Sequence, residues 1–381
     1  MKVTRVAAHL LRSIQKAALL PDQAGLRSLD VSAVLVEVET DEGITGVGES
    51  FYRSLDDNRF LAGSVRAMGR HLIGKDPLES GQRWQELYVQ VKRSGAYGAL
   101  SALDEALWDI KGKAAGLPIY QLLGGKTTPV RAYATYPLGK SIDDVADGAR
   151  WLADHGFATM KIPVGRGVAE DRKLIEGLVP RLPDGFGLAI DANTTYGFGD
   201  AQAVARVAGD HGIAWFEEPT EHLDVQGMAE LNRSTAVPIA GYQTYNTHYP
   251  AVELLKANAL DVYQPSLDYV GGVTAAVKVG ILVETFNKRL VPHTMGPIVN
   301  YTASLHVAAA QRACTLIEFP VLTRDIDDPG RVHTGTYVRN VEDISLRPDG
   351  TVAPPDGPGI GVDIDWETVR ALQETELAVE A

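Results

Sequence analysis

The sequence contains little cysteine and no long apolar run. Cys314 is its only cysteine, so no disulfide can form within the chain, and we expect a reducing, cytoplasmic environment. Arg12 and Lys16 interrupt the apolar residues near the start, so we expect no signal peptide. No other stretch is long and apolar enough to predict a membrane span.

Basic residues are also scarce. The chain has 36 Lys and Arg against 49 Asp and Glu, a net charge of −13, which argues against nucleic acid or an anionic membrane as a partner. A small anionic substrate stays possible because a bound cation can reverse the field locally. The 381 residues are 45% hydrophobic, which is ordinary for a globular protein, and they are enough for two domains.

The first part of the chain predicts a small sheet followed by helices. Three runs alternate as strands do, over residues 1–10, 31–40 and 44–49. Asp41-Glu42-Gly43 favours a hairpin turn between the last two. The period then becomes helical from 64 to 125, most clearly over Ser101–Ala115. We predict an α+β domain over residues 1–128.

Two long connections leave this predicted sheet, over residues 11–30 and 51–59. Loops of this length are commonly either disordered or used as lids over a site. Their residues Asp22, Arg27, Tyr52 and Arg53 point to polar groups on a ligand.

The rhythm changes near residue 129 to short apolar runs that alternate with helical segments. The runs are Val130–Tyr136, Thr159–Ile162, Leu188–Asp191, Ile213–Glu217, Pro238–Ala240, Val262–Gln264, Leu290–Pro292 and Leu316–Phe319. Helices fit between them, for example Ser141–His155, Ala201–Asp210 and Gly272–Phe286. This pattern predicts a parallel (β/α)7–8 barrel over residues 129–325. The loop-rich tail, 326–381, is expected to return to the first domain.

Polar side chains follow the third, fourth and fifth runs. The segment Trp215-Phe216-Glu217-Glu218-Pro219 places two carboxylates at a strand end, and only one of them should face inward if the strand is regular. Asp191 and Gln243 end the neighbouring runs. Asp191, Glu217 and Gln243 could together hold Mg²⁺, which prefers oxygen ligands. The alternative is that Asp191 caps a helix and Glu217 pairs with a lysine.

Three further groups end other runs: Lys161 on the second, His293 on the seventh and Glu318 on the eighth. Lys161 could hold a substrate carboxylate, or it could serve only as an ion pair. His293 is a candidate general base, although a lone histidine is often structural. A divalent cation, a lysine and a histidine around one cavity suit removal of a proton next to a carboxylate.

At this point the sequence resembles the enolase superfamily, in its mandelate racemase and muconate lactonizing enzyme subgroup. The resemblance covers essentially the whole chain. It rests on Asp41–Glu49, Ala106–Gly116, Trp215–Pro219 and Gly271–Thr274. The resemblance implies a modified (β/α)7β TIM-type barrel under an α+β capping domain, with lid loops from the first domain. It also implies a Lys or His base and Mg²⁺.

Residue by residue, the resemblance carries over only in part. Lys161 matches the first lysine of the family's Lys-x-Lys, and Asp191 and Glu217 match the first two metal ligands. His293 matches the histidine base, and Glu318 matches an acid near the substrate. The remaining correspondences fail: Pro163 replaces the second lysine, Gln243 an acidic third ligand, and Ser266 the aspartate or lysine of other members.

These departures change the expected chemistry. Pro163 has no ionisable group, so a racemase with bases on both faces is disfavoured. Gln243 should weaken Mg²⁺ binding because a charge is lost, and Ser266 should leave His293 a weaker base. Tyrosines offer another proton route, and Tyr136 is a second candidate for contact with substrate beside Glu318. The tyrosines considered are Tyr136, Tyr196, Tyr242 and Tyr245.

Three hypotheses follow. The first is a hydro-lyase that dehydrates a hydroxylated, sugar-type carboxylic acid with His293 as its one base. The second is a racemase, epimerase or cycloisomerase of the same family. The third is a binding protein that has lost the site. We expect a small-molecule carboxylate as substrate and a homo-oligomer as the assembly.

Overall fold

The computed structural model describes residues 1–12, 14, 32–52, 54–126, 129–136, 141–321, 329–330 and 335–381. Its strands are β1 (Val3–Leu11), β2 (Ala33–Thr40), β3 (Thr45–Ser50), β4 (Val130–Thr135), β5 (Thr159–Pro163), β6 (Gly187–Asp191), β7 (Phe216–Glu217), β8 (Ile239–Gly241), β9 (Val262–Tyr263), β10 (Arg289–Leu290), β11 (Leu316–Pro320), β12 (Thr351–Val352) and β13 (Gln373–Glu380). Four residues were expected on lid loops. Tyr52 is described, and the other three, Asp22, Arg27 and Arg53, lie outside the described residues.

The helices between them cover most of the predicted helical segments. They are α1 (Leu55–Gly69), α2 (Ser80–Ser94), α3 (Tyr97–Ala115), α4 (Ile119–Leu122), α5 (Ile142–Asp154), α6 (Val168–Leu178), α7 (Phe198–Asp210), α8 (Val225–Ser234), α9 (Tyr249–Ala257), α10 (Leu267–Val270), α11 (Gly272–Thr285), α12 (Ile298–Ala310) and α13 (Trp366–Leu372). Within the described ranges, no helix is long and apolar enough to cross a membrane.

The first sheet is antiparallel with the order β13-β1-β2-β3. The prediction for this region contained three strands; the fourth, β13, comes from the end of the chain and pairs with β1 along almost its whole length. Helix α3 lies close against β3. A Cβ added at Gly46 or Gly48 would overlap the carbonyl oxygen of Ala106 or Ala102 on α3. The glycines of this segment therefore permit the close approach of strand and helix.

The second sheet is the predicted barrel. Its parallel strands follow the order β10-β9-β8-β7-β6-β5-β4-β11. The ring closes where the Leu290 amide donates to the Ala313 carbonyl, 3.0 Å away, beside a bridge from Leu290 to Cys314. Strands β4 to β10 are each followed by a helix, and β11 ends the series. The predicted modified (β/α)7β barrel with an α+β cap is confirmed.

A separate apolar cluster fills the barrel interior below its mouth. Its members are Tyr133, Ala189, Trp215, Ala240, Val262 and Val291. The rings of Tyr133 and Trp215 meet edge to face with centroids 4.9 Å apart. Because this apolar cluster fills the interior, polar side chains that point inward can be accommodated only at the carboxyl ends of the strands.

Glu49, at the end of β3, connects the cap to the barrel. Its Oε2 accepts the Val299 amide at 2.7 Å, its Oε1 accepts the Tyr337 hydroxyl, and its own amide donates to Glu105 Oε2 at 3.0 Å. Val299 lies in the first turn of α12, where backbone amides have no partner within the helix. A carboxyl group of the capping domain therefore accepts a hydrogen bond from the start of a barrel helix. Complete burial raises the pKa of Glu49 to about 8.

The raised pKa of Glu49 makes a testable contribution to stability. Between its unfolded value of 4.5 and its folded value of about 8, only the folded state keeps the proton. The free energy of unfolding therefore falls as pH rises through this window, by up to about 1.4 kcal/mol per pH unit from this group. Glu49→Gln mimics the protonated form and cannot titrate. We therefore expect its free energy of unfolding, measured in urea at pH 5.5 and 7.5, to fall less between the two pH values than that of wild type.

The matched control is Glu176→Gln, at an exposed position on α6. The free energy of unfolding of this variant should fall between the two pH values by as much as that of wild type. Equal slopes for wild type and Glu49→Gln would show that Glu49 is not protonated in the folded protein.

Candidate active site

Five of the predicted site residues converge at the carboxyl ends of the barrel strands. Lys161 lies on β5, Asp191 on β6, Glu217 on β7 and Glu318 on β11, while His293 follows β10. Asp191 and Glu217 are direct partners in the β6–β7 register. Parallel pairing around a closed ring brings together residues that are far apart in the sequence.

The ammonium of Lys161 lies among three carboxylates. Its Nζ is 2.7 Å from Glu217 Oε1, 3.2 Å from Glu318 Oε1 and 3.4 Å from Asp191 Oδ2. All four side chains are buried. Burial opposes its charge, but Glu217 and Glu318 hold the pKa of Lys161 well above its usual value. Lys161 is therefore a cation here and is not available as a base.

Of the alternative interpretation, the lysine pair is present, but Asp191 caps no helix, since α7 begins after Gly197 without a side-chain cap. Glu217 does pair with a lysine, and Asp191 Oδ1 accepts the Asn193 amide at 2.9 Å within the turn that follows β6. These contacts leave charge unbalanced, because one lysine faces three buried acids. Burial and the nearby Glu217 raise the pKa of Asp191 to about 7. The group of acids is therefore suited to a further cation.

Two residues without an assigned role in the sequence analysis hold the other oxygen of Glu217. The Gln264 amide donates to Oε2 at 2.6 Å, and the Trp215 indole donates at 3.2 Å. Trp215 lies two residues before Glu217, and Gln264 lies two residues after Val262 of β9, two strands along the ring. Alternation along each strand could therefore have identified both side chains as inward-facing. Glu217 is thus fixed in position from several sides.

Glu318 connects Lys161 with His293. Its Oε2 lies 3.8 Å from His293 Nε2 and accepts the Thr294 amide at 2.8 Å, while its Oε1 accepts the Thr135 hydroxyl. Burial disfavours its charge, yet Lys161 and His293 lower the pKa of Glu318 to about 2. Glu318 is therefore an ionised carboxylate between the lysine and the histidine.

Ser266 lies beside His293 through a backbone bridge between the two residues. Its hydroxyl is 3.4 Å from Asp268 Oδ2. Asp268 is fully buried, and burial raises its pKa to about 7. An acid thus occurs two residues after the position where a related sequence would carry one.

Both carboxylates of Glu217-Glu218 are buried, where a regular strand would turn only one inward. The reason is the backbone of Glu218, which has φ 40° and breaks the alternation of the strand. Gln243 donates its amide to Glu218 Oε2 at 2.7 Å. Burial, followed by the charges of Asp191 and Glu217, raises the pKa of Glu218 to about 8.

Tyr136 is placed differently from the other candidates. Its ring lies against Gly148 and Trp151 of helix α5, on the outer side of the barrel. Its neighbour Thr135 faces the site and contacts Glu318, as alternation along β4 requires. A role for Tyr136 in substrate binding stays a prediction.

The other tyrosines considered as proton carriers form structural hydrogen bonds. Tyr196 donates its hydroxyl to Asp171, Tyr242 to the Thr247 carbonyl, and Tyr245 to the His222 carbonyl. Burial raises the pKa of each of these three hydroxyls. None of these contacts links a tyrosine to His293 or Lys161.

The oxygen donors at the barrel mouth suit a hard metal ion. Among the described residues, no group of three or more His, Cys, Asp or Glu side chains is arranged so that it could hold a metal ion by itself. Mg²⁺, however, keeps several waters and commonly binds through one or two carboxylates. Asp191 and Glu217 are adjacent, buried and short of positive charge, so the residues present fit such an ion.

Comparisons with known proteins agree with this architecture. Residues 15–124 match the mandelate racemase / muconate lactonizing enzyme N-terminal domain, and residues 144–369 match the enolase C-terminal domain-like family. The chain is 34% identical to D-galactarolactone cycloisomerase of Agrobacterium fabrum, over 98% of this chain and 99% of that protein. It is 30% identical to arabinonate dehydratase of Saccharolobus solfataricus, over 89% and 90%.

A solved structure of similar shape is L-talarate dehydratase of Polaromonas sp. JS666, complexed with Mg and L-glucarate. The TM-score is 0.83 at 26% identity, over 100% of this chain and 99% of that one. Both predicted parts of the fold are therefore matched along nearly the whole chain. The chain belongs to the enolase superfamily, in the mandelate racemase and muconate lactonizing enzyme subgroup.

Proposed function

We propose that this protein dehydrates a hydroxylated, sugar-type carboxylic acid after abstraction of its α-proton, with His293 as the base. The observation that carries the proposal is the convergence of an ionised lysine, three buried carboxylates and a histidine at one barrel mouth. Such a group of side chains can bind a carboxylate substrate and stabilise the charge that develops when its α-proton leaves.

Each residue has a distinct part in this proposal. His293 Nε2 takes the α-proton, and the electron pair of the broken C–H bond moves into the substrate carboxylate. Lys161 provides the fixed positive charge that holds that carboxylate. Mg²⁺, held by Asp191, Glu217 and Gln243, would supply further positive charge to the same carboxylate when bound.

Elimination then needs no second base. The electron pair returns to form a C=C bond as the bond to the β-hydroxyl breaks, and His293 gives its proton to the departing oxygen, which leaves as water. The resulting enol becomes a 2-oxo-3-deoxy acid by tautomerisation. One histidine can perform both proton transfers if the α-proton and the hydroxyl lie on the same face of the substrate.

The lysine side of the site supports a single base. Pro163 occupies the strand position that would need an ionisable group, and Lys161 is held in its charged form by three carboxylates. A two-base racemase would need a neutral amine opposite His293. The relatives named as dehydratases of arabinonate, galactonate and L-talarate add support, because each name describes a hydroxylated acid.

A second candidate is a cycloisomerase acting on a sugar-acid lactone. The specific observation in its favour is the 34% identity to D-galactarolactone cycloisomerase over 98% of this chain. The first step would again be abstraction of an α-proton by His293, with a ring oxygen as the leaving group. Because the atoms of that leaving group stay in the molecule, the product would be an isomer.

Turnover of hydroxylated acids tests the main proposal. We expect one or more members of a library of aldonic and aldaric acids, incubated with Mg²⁺, to give a 2-oxo acid that reacts with semicarbazide. His293→Asn should lower kcat by about 10²- to 10⁴-fold because the proton acceptor is lost. The control His71→Asn, at an exposed position, should retain activity. Equal rates for wild type and His293→Asn would contradict the proposal.

Mass spectrometry in deuterium oxide separates the candidate reactions. A dehydratase should give a product lighter than its acid substrate by one water, with a solvent-derived deuterium at C3. A cycloisomerase should convert a lactone to an isomer that carries one deuterium. Deuterium at the α-carbon of an otherwise unchanged acid would indicate an epimerase, and no conversion of any acid or lactone would favour a binding protein.

A further inference from the structure

Glu218 differs from the other buried acids at the barrel mouth in its partners. Asp191, Glu217 and Glu318 each lie within 4 Å of the Lys161 ammonium. Glu218 is only 3% exposed, yet in the described part of the chain no basic side chain comes within 4 Å of its carboxylate. An ionised carboxylate in such a place requires compensation by a cation or by a proton.

The partners that Glu218 does have are neutral donors. The Gln243 amide lies 2.7 Å from Oε2, and the Thr244 hydroxyl lies 3.5 Å from Oε1. Both donors belong to the segment that follows β8, next to Glu217 on β7 in the ring. The positive φ of Glu218 keeps its side chain at this end of the barrel, where a regular strand would direct it towards the helices.

We propose that Glu218 supplies the third negative charge of the Mg²⁺ site, acting through the side-chain amide of Gln243. This inference rests on the proposed function, because Mg²⁺ is the proposed cofactor. Gln243 itself carries no charge, but its amide nitrogen donates to a carboxylate, and this polarises its carbonyl oxygen towards greater negative charge. Gln243 and Glu218 together thus replace one acidic side chain.

The electrostatic argument favours a contribution from this position. Affinity for a divalent cation depends on the number of negative charges around it, and burial reduces the screening of those charges. With Glu218 included, four buried acidic side chains lie at the mouth with a single lysine. A divalent cation would balance the negative charge of Glu218, which has no basic side chain within 4 Å in the described residues.

Titration of MgCl2 into the full-length protein by calorimetry tests the proposal. We expect Glu218→Gln to weaken Mg²⁺ binding at least tenfold, since the charge is lost while the shape is kept. The double variant E218Q/Q243E moves the charge across the hydrogen bond from residue 218 to residue 243 and should restore affinity to within about threefold of wild type. Glu221→Gln, at an exposed acid in the same loop, is the matched control and should bind as wild type does.

A second readout is the loss of the free Mn²⁺ signal in electron paramagnetic resonance, which needs no substrate. Thermal melting without metal checks that each variant folds. Mg²⁺ affinity in Glu218→Gln equal to that of wild type, or a double variant as weak as Glu218→Gln, overturns the proposal. Wild type without Mg²⁺ binding overturns it together with the metal part of the proposed function. If wild type binds Mg²⁺ and the variants change its affinity as expected, but no acid is turned over, the proposal on Glu218 stands. Only the proposed reaction is then contradicted.

Discussion

A single buried ammonium determines what the mouth of this barrel can do. Moving an ammonium or a carboxylate from water into a protein interior costs several kcal/mol per ion, and the cost is recovered only when the charges meet in good geometry. Lys161 meets three carboxylates from three other strands, and the ring of Tyr133 lies 5.9 Å below its Nζ. Every strand that contributes an acid must therefore stay in register for the group to remain buried.

The arrangement divides the mouth into two sides with Lys161 between them. On one side, β6, β7 and the residue after β7 present Asp191, Glu217 and Glu218, so that acidic side chains outnumber basic ones. On the other side, Glu318 lies beside His293 and is ionised because the lysine and the histidine both favour its charge. The first side suits a cation and the second suits proton transfer, so a carboxylate substrate that lies across Lys161 would reach both.

Much of the fold could be predicted because the barrel strands are short apolar runs bounded by turns, and each predicted run overlaps an observed strand. The strand ends were correct to within a few residues for the same reason. Strand β13 was missed, because its alternating charged residues do not resemble a buried strand, and only pairing with β1 orders it. The link from Glu49 to α12 joins residues 250 positions apart and has no local signal.

Within the site, alternation along a strand was the main source of success and of error. On β4 it places Thr135, and not Tyr136, towards Glu318, whereas the sequence analysis named Tyr136 as a candidate for substrate contact. It fails at Glu218, because a left-handed backbone at a residue other than glycine or asparagine is uncommon and cannot be read from a Glu-Glu-Pro sequence. Similar left-handed residues follow the neighbouring strands, at Asn193 and Tyr242.

The neutral residues that replace charged ones in this site are not isolated losses of charge. Gln243 is hydrogen-bonded to the carboxyl group of Glu218, and Ser266 lies 3.4 Å from that of Asp268. In both cases a buried acid is within hydrogen-bonding distance of the neutral side chain, and burying such acids is costly unless they serve a purpose. Replacement of such buried charged groups by apolar residues of similar size is often neutral or stabilising, so folding alone does not account for the two acids. At both positions, a neutral side chain and a buried acid therefore occur as a pair, beside a mouth that holds Lys161 and its three acids.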